Sequence, residues 1–281
     1  MPRLLRQVME EVLDRWRDDV AAEWRDLFGG VCLGFSDMTA ELELEAWEPV
    51  FPTRKGKQFP GAPVGAHMLK AFDGVAPSAV RAIVLGQDPY PEPASATGRA
   101  FEIGAAMEWR DLDRMFSASV RAYTQSVLAA RLARLDLARS FAQWPEVLRE
   151  LETGKIPTEG HRAISDTHER QGVLLLNASL TLTRFRRDID PHQSEGHLPI
   201  WRPLMLTVLR ATVSMGRPVA FLGFGDAASA LFAEAGLAHH DQAVVVERPH
   251  PAFANEYLER CNPFTQANDG LLERGAEPIG W

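Results

Sequence analysis

Four short stretches of the chain, at 79–85, 172–176, 218–222 and 243–246, are almost wholly apolar and rich in branched side chains, with no helical period. Such runs predict strands buried on both faces of a sheet. Between and around them the apolar positions recur at helical spacing. Residues 3–28 place Leu5, Val8, Val12, Trp16 and Val20 on one face with Glu, Asp and Arg between them, and stop at Gly29-Gly30, which predicts one docking helix. Shorter helices are predicted over 66–72, 204–213 and 227–235, and a long helical stretch from Met115 to Leu137 resumes over 146–151. Strands alternating with helices imply right-handed crossovers and an α/β fold. The expectation is a three-layer αβα sandwich around a central, mostly parallel, four-stranded sheet.

Each strand breaks off into residues that carry chemistry. The first ends at Gly86 and continues Gln87-Asp88-Pro89-Tyr90, then a loop rich in Pro, Ala, Ser and Gly that leads to Arg99, Ala100 and Phe101. The second ends at Asn177-Ala178-Ser179, and the third at Gly223-Phe224-Gly225-Asp226. The fourth runs into Pro249-His250-Pro251, where two prolines hold the histidine in a stiff, extended segment. In a parallel sheet, ligands bind at the carboxyl ends of the strands. Taken singly, each residue has a plain explanation. Asp before Pro makes a turn, an amide caps one, and a single histidine is more often structural. Taken together, an acid, an amide and an imidazole emerge at one sheet edge.

Composition narrows the setting. The chain of 281 residues is 46% hydrophobic and 24% charged, enough to bury one sizeable core. It has no apolar run near the roughly 20 residues that span a bilayer, and its first residues are too acidic and amphipathic for a signal or transit peptide. The expectation is a cytoplasmic protein with no membrane partner. Two cysteines, Cys32 and Cys261, are too few for a disulfide framework or a four-cysteine metal site. A formal charge of −8 argues against a surface coated for nucleic acid, so any such surface is a local patch. The triplet Arg54, Lys55 and Lys57 reads as solvated charge, with phosphate contact the alternative.

The string Gly86-Gln87-Asp88-Pro89-Tyr90, followed at fixed spacing by Gly98-x-Ala100-Phe101, resembles the catalytic motif of the uracil-DNA glycosylase superfamily, family 1 in particular. The Leu-Leu-Leu-Asn segment ending at Asn177, the His250-Pro251 pair and the closing Arg-Gly-x-x-Pro-Ile-x-Trp resemble further motifs of that family. The resemblance covers about residues 60–281. It implies a monofunctional DNA glycosylase of DNA repair, a hydrolase that flips a pyrimidine nucleotide out of the stack and leaves an abasic site, with DNA as partner and no cofactor or metal. The lack of a cysteine cluster separates the chain from the iron–sulfur branches. Asp88 and His250 are the implied catalytic pair, with Gln87, Tyr90, Phe101 and Asn177 around the base. Ser117, Ser119, Arg184, Arg186, Arg187, Phe253 and Asn255 are the candidate DNA contacts. Asn177 lies 76 positions beyond Phe101, a longer spacing than the family usually has. A single domain over 1–281 is therefore expected, with a helical extension over 1–60 and a helical insertion over 105–170, acting as a monomer.

The chain departs from the family where DNA is handled. Pro91 stands where the family has His, and Ala252-Phe253-Ala254-Asn255 where it has Ser-Pro-Leu-Ser. The leucine that enters the base stack aligns with Ala254, which is too small, leaving Phe253 as the candidate wedge. These departures keep three readings open. One is uracil repair; a second is antiviral defence by excision of hydroxymethylated or glucosylated cytosine from phage DNA; a third is a nucleic-acid-binding protein whose catalysis has been lost.

Overall fold

The computed structural model describes residues 1–104, 108–115, 117–158, 160–184 and 191–281. Its first element, the two-residue strand β1 (Arg3–Leu4), pairs antiparallel with β2 (Glu43–Leu44) and holds the N-terminal segment against itself. The central sheet is built from β3 (Ala82–Gly86), β4 (Val173–Asn177), β5 (Val219–Phe224) and β6 (Ala243–Arg248). Its order is β4-β3-β5-β6 and every pairing is parallel. The predicted four-stranded αβα sandwich is therefore observed.

Alternation along the strands divides the core in two. Ile83, Leu85, Leu174, Leu176 and Phe221 face one layer, while Val84, Leu175, Ala220, Leu222 and Val246 face the other. The first layer holds α1 (Leu5–Val12), α2 (Arg25–Phe28), α6 (Leu198–Val213) and α7 (Asp226–Ala235). The second holds α3 (Ser119–Arg131), α4 (Trp144–Glu152), α5 (His161–Arg170), α8 (Ala254–Leu258) and α9 (Pro263–Glu273). No helix among the described residues is long and apolar enough to cross a membrane.

Three local expectations are corrected. Residues 3–28 are not one helix: α1 stops at Val12, Arg15 takes a positive φ of 52°, and 3-10 turns at Trp16–Asp19 and Ala22–Trp24 lead into α2. The break lets Trp16, Trp24 and Phe28 reach one core. Trp24 stacks on Phe28 at 5.4 Å between ring centroids and meets Phe72 edge-on at 5.0 Å. The second correction explains how the break is held. Arg54 is neither solvated nor free for phosphate; it is buried, pairs with Asp19 and donates to the carbonyl of Val12 (3.2 Å), which ends α1, and to that of Arg15 (3.0 Å) in the turn beyond it. Lys55 is likewise taken up by Asp73 at 2.9 Å. Third, the helix expected over 66–72 is only a 3-10 turn at Lys70–Phe72, because Met68 N–H donates to Thr53 O (2.9 Å) instead of to its own segment.

α3 is buried along nearly its whole length, with Tyr123 stacked flat on Phe101 at 4.6 Å.

Candidate active site

Strand register sets the geometry. Gly86 pairs with Asn177 across β3 and β4, so Asp88, two residues further on, stands beside the amide. On the other side Phe224 pairs with Arg248, which puts His250 two residues past the same edge. His250 must then cross the end of β5. Gly225 permits this: it has φ +94°, and a Cβ there would lie 3.1 Å from the Cβ of His250.

Phe101 is brought back to this edge by its backbone. Ala100 N–H donates to Leu175 O (3.0 Å), and Phe101 itself adopts φ 59°, a left-handed conformation that an aromatic residue rarely occupies. Its ring sits 6.3 Å from that of His250. Gly86 is the floor between them, since a Cβ there would lie 2.7 Å from Asn177 Oδ1 and 3.2 Å from the Phe101 ring. Asp88, Gln87, Tyr90, Phe101, Asn177 and His250 thus line one cleft of about 600 Å³.

The surroundings shift both titrating groups toward their neutral forms. Packing around Asp88 pushes its carboxyl up to about 7, against the opposing donation of the Gln87 amide at 3.3 Å. Burial lowers His250 to about 4. Its tautomer is fixed by the backbone, because Ala252 N–H donates to Nδ1 at 3.1 Å and so leaves the proton on Nε2. The Asn177 side chain is buried, and no described residue hydrogen-bonds its amide. An amide donor and acceptor are thus presented to whatever fills the cleft. Tyr90 is anchored by its hydroxyl, 3.4 Å from Ser119 Oγ, which Ser117 Oγ meets in turn at 2.9 Å.

Residues 72–272 match the family model of the uracil DNA glycosylase superfamily. The chain belongs to that superfamily. It is 30% identical over 223 residues to the uracil-DNA glycosylase of Mycolicibacterium vanbaalenii, a match spanning 78% of this chain and 80% of the relative. The fold matches the wild-type UNG of Nitratifractor salsuginis with a TM-score of 0.56 and 24% identity, over 95% of this chain and 94% of that one. It also matches the mimivirus uracil-DNA glycosylase with a TM-score of 0.60 and 14% identity, over 98% and 92% of the two chains. As a superfamily member the protein is a DNA glycosylase, a hydrolase acting on N-glycosyl bonds in DNA repair.

The other sequence candidates divide around the glycosylase cleft. Ser117 and Ser119 line it, but Ser119 is buried and its hydroxyl supports Tyr90. Phe253 stands at the mouth with 63% of its surface exposed, whereas Ala254 is buried as the first residue of α8. Asn255 accepts a hydrogen bond from Phe141 N–H at 3.3 Å and ties the two rims together. Arg184 does not line the cleft: it pairs with Glu48 at 3.1 Å and meets His192 Nε2 at 2.6 Å. Arg186 and Arg187 lie outside the described residues. Arg99 lines the cleft but is bound by Glu102, by Asp166 at 2.9 Å and by Glu169 at 3.0 Å. The sequence reading missed Arg121, two positions past Ser119 on the first turn of α3; its place on the cleft side of that helix was the available signal.

Proposed function

We propose that the protein removes uracil from DNA by hydrolysing the N-glycosidic bond of an extruded nucleotide. The observation that carries this reading is the meeting of Asp88, Asn177, His250 and Phe101 around one cleft. A base inside a stacked duplex is out of reach of these groups, so the nucleotide leaves the stack at a cost of roughly a few kcal/mol. Phe253, exposed at the mouth, is the side chain placed to fill the gap.

Phe101 offers the base a flat face, its own back supported by Tyr123. The Asn177 amide matches N3–H and O4 of uracil, and a base with another pattern leaves a buried donor or acceptor without a partner. Breaking the bond puts positive charge on the sugar and negative charge on the departing base. The ionised Asp88 carboxylate faces the sugar, where it stabilises the cation and holds the attacking water. His250 Nε2–H donates to O2 of the leaving uracil.

Tyr90 closes the side of the cleft where C5 lies, and its anchor on Ser119 keeps it there. That wall leaves no place for a thymine methyl or a glucosyl group. Tyr90→Ala is therefore expected to raise thymine release by about 10- to 100-fold. Unchanged discrimination between uracil and thymine would remove this role from Tyr90.

Base release measured by mass spectrometry from two DNAs tests the reading as a whole. Uracil is expected from uracil-containing DNA, and no base from phage DNA carrying glucosylated hydroxymethylcytosine. Absence of uracil release from the first overturns it; release from the second replaces uracil with the modified pyrimidine.

A further inference from the structure

A cleft that takes DNA needs a positive group for the backbone, and this chain carries a formal charge of −8. Among the described residues lining the cleft, the cations are Arg99 and Arg121, besides the neutral His250. Arg99 is neutralised by three carboxylates. Arg121 is different. Its nearest acid is Asp113 at 3.7 Å, beyond hydrogen-bond reach, and Asp113 already accepts from Trp144 Nε1 at 2.6 Å.

The guanidinium is nonetheless held in place. Its carbon lies 5.3 Å from the centre of the Phe141 ring, and its Nε is buried with no hydrogen-bond partner. Only 17% of the side chain is exposed. A planar, always-charged fork, fixed on an aromatic ring and short of acceptors, is suited to a phosphate oxygen pair. Phe141 is itself linked to the wedge segment, because its N–H donates to Asn255 Oδ1 at 3.3 Å.

We infer that Arg121, seated on Phe141, grips a phosphodiester flanking the extruded nucleotide, with Ser117 beside it at the start of α3. The contact supplies the phosphate grip that Arg184 and Arg99, engaged by carboxylates, do not. It rests on the DNA glycosylase reading, and its test is separable from that reading because it needs no base release.

The probe is an oligonucleotide carrying a tetrahydrofuran abasic analogue, which has no base and no bond to cleave. A single phosphate contact contributes about 0.9 to the slope of log affinity against log salt on duplex DNA, or about 0.7 on a single strand. Arg121→Gln is expected to lower the slope by about that amount and to weaken binding about tenfold at low salt. Arg121→Lys keeps the slope. The control is Arg114→Gln, which removes the same charge from a side chain of the same segment that is 80% exposed, and it leaves the slope at the parent value.

On uracil-containing DNA the loss in Arg121→Gln falls on KM more than on kcat. Phe141→Leu, which keeps the charge and removes its seat, raises KM as well and gives a reading that does not depend on the folding of the arginine variant. An unchanged slope in Arg121→Gln, or an equal fall in Arg114→Gln, overturns the proposal. So does an unchanged KM in Phe141→Leu if Arg121→Gln does not fold. If the parent binds the probe as described but releases no uracil, the substrate reading falls and the phosphate contact stands.

Discussion

Asp88→Asn is expected to lower kcat by about 10²- to 10⁴-fold, with binding of uracil-containing DNA changed far less. The substitution keeps shape and removes the negative charge that the sugar cation needs. The same substitution is expected to make the protein more stable above pH 7. The carboxyl, ordinarily at 3.8, is raised to about 7 in the folded chain by burial. Between those values the folded state holds a proton that the unfolded state has lost, so stability falls as pH rises from about 4 to about 7 and stays lower above it. An asparagine has no proton to lose. The variant therefore gains on the parent across that window, by about 1–3 kcal/mol once the opening of the cleft to water is allowed for. Urea unfolding of both proteins at pH 4, 5.5, 7 and 8.5 reads the difference. A gap that does not grow with pH contradicts the raised carboxyl, and equal turnover by the two proteins contradicts its catalytic role. In the parent, kcat/KM is expected to rise with pH through about 7 as the carboxylate forms. The limb disappears in Asp88→Asn.

The buried position that raises Asp88 follows from the strand ends around it. The strand ends that deliver Asp88 and Asn177 are fixed by continuous apolar runs buried on both faces, while β6, which leads to His250, is only partly buried. Those runs were legible because a strand of a parallel sheet covered on both faces buries every side chain in a row. The site was legible for the same reason, since polar residues directly after such a run can only stand at the sheet edge. What escaped the sequence was held by polar groups inside the protein. α5 buries His161, Ile164, Ser165 and His168, so its inner face carries a single apolar side chain and shows no hydrophobic period. The break after α1 depends on Arg54, 42 residues beyond Val12, and no local pattern announces it. Arg54 read as solvated charge and Arg184 as a DNA contact, yet tertiary partners engage both. Arg121 was missed although Ser117 and Ser119 beside it were named, because no motif of the sequence marks it. The left-handed turn at Phe101 carries no residue-type signal at all, since glycine is the usual occupant.

His250→Ala is expected to lower kcat by about 10²- to 10³-fold, the usual effect of removing one donor from the site of developing negative charge. KM is expected to change little, because a neutral N–H adds more to a charged oxygen in the transition state than to the carbonyl of the bound base. The structure distinguishes this role from that of a charged general acid. Burial holds the ring at about 4, and Ala252 N–H occupies Nδ1, so the imidazole at neutral pH is uncharged with its one proton on Nε2. The parent's rate profile is therefore expected to show no limb near 6.5, the ordinary value of a histidine, and only the limb near 7 that Asp88→Asn abolishes. If that limb instead persists in Asp88→Asn and is lost in His250→Ala, the ring titrates during turnover and acts as an acid. A kcat equal to the parent's in His250→Ala removes the ring from the reaction. The neutral form is also the one the fold favours. Pro249 and Pro251 limit the backbone, and Gly225 leaves no Cβ beneath the ring, so His250 reaches the cleft across β5 without the bulk that any other residue at 225 would interpose. An imidazole placed this way needs no nearby carboxylate to orient it: the backbone selects the tautomer, and the strand edge aims the proton.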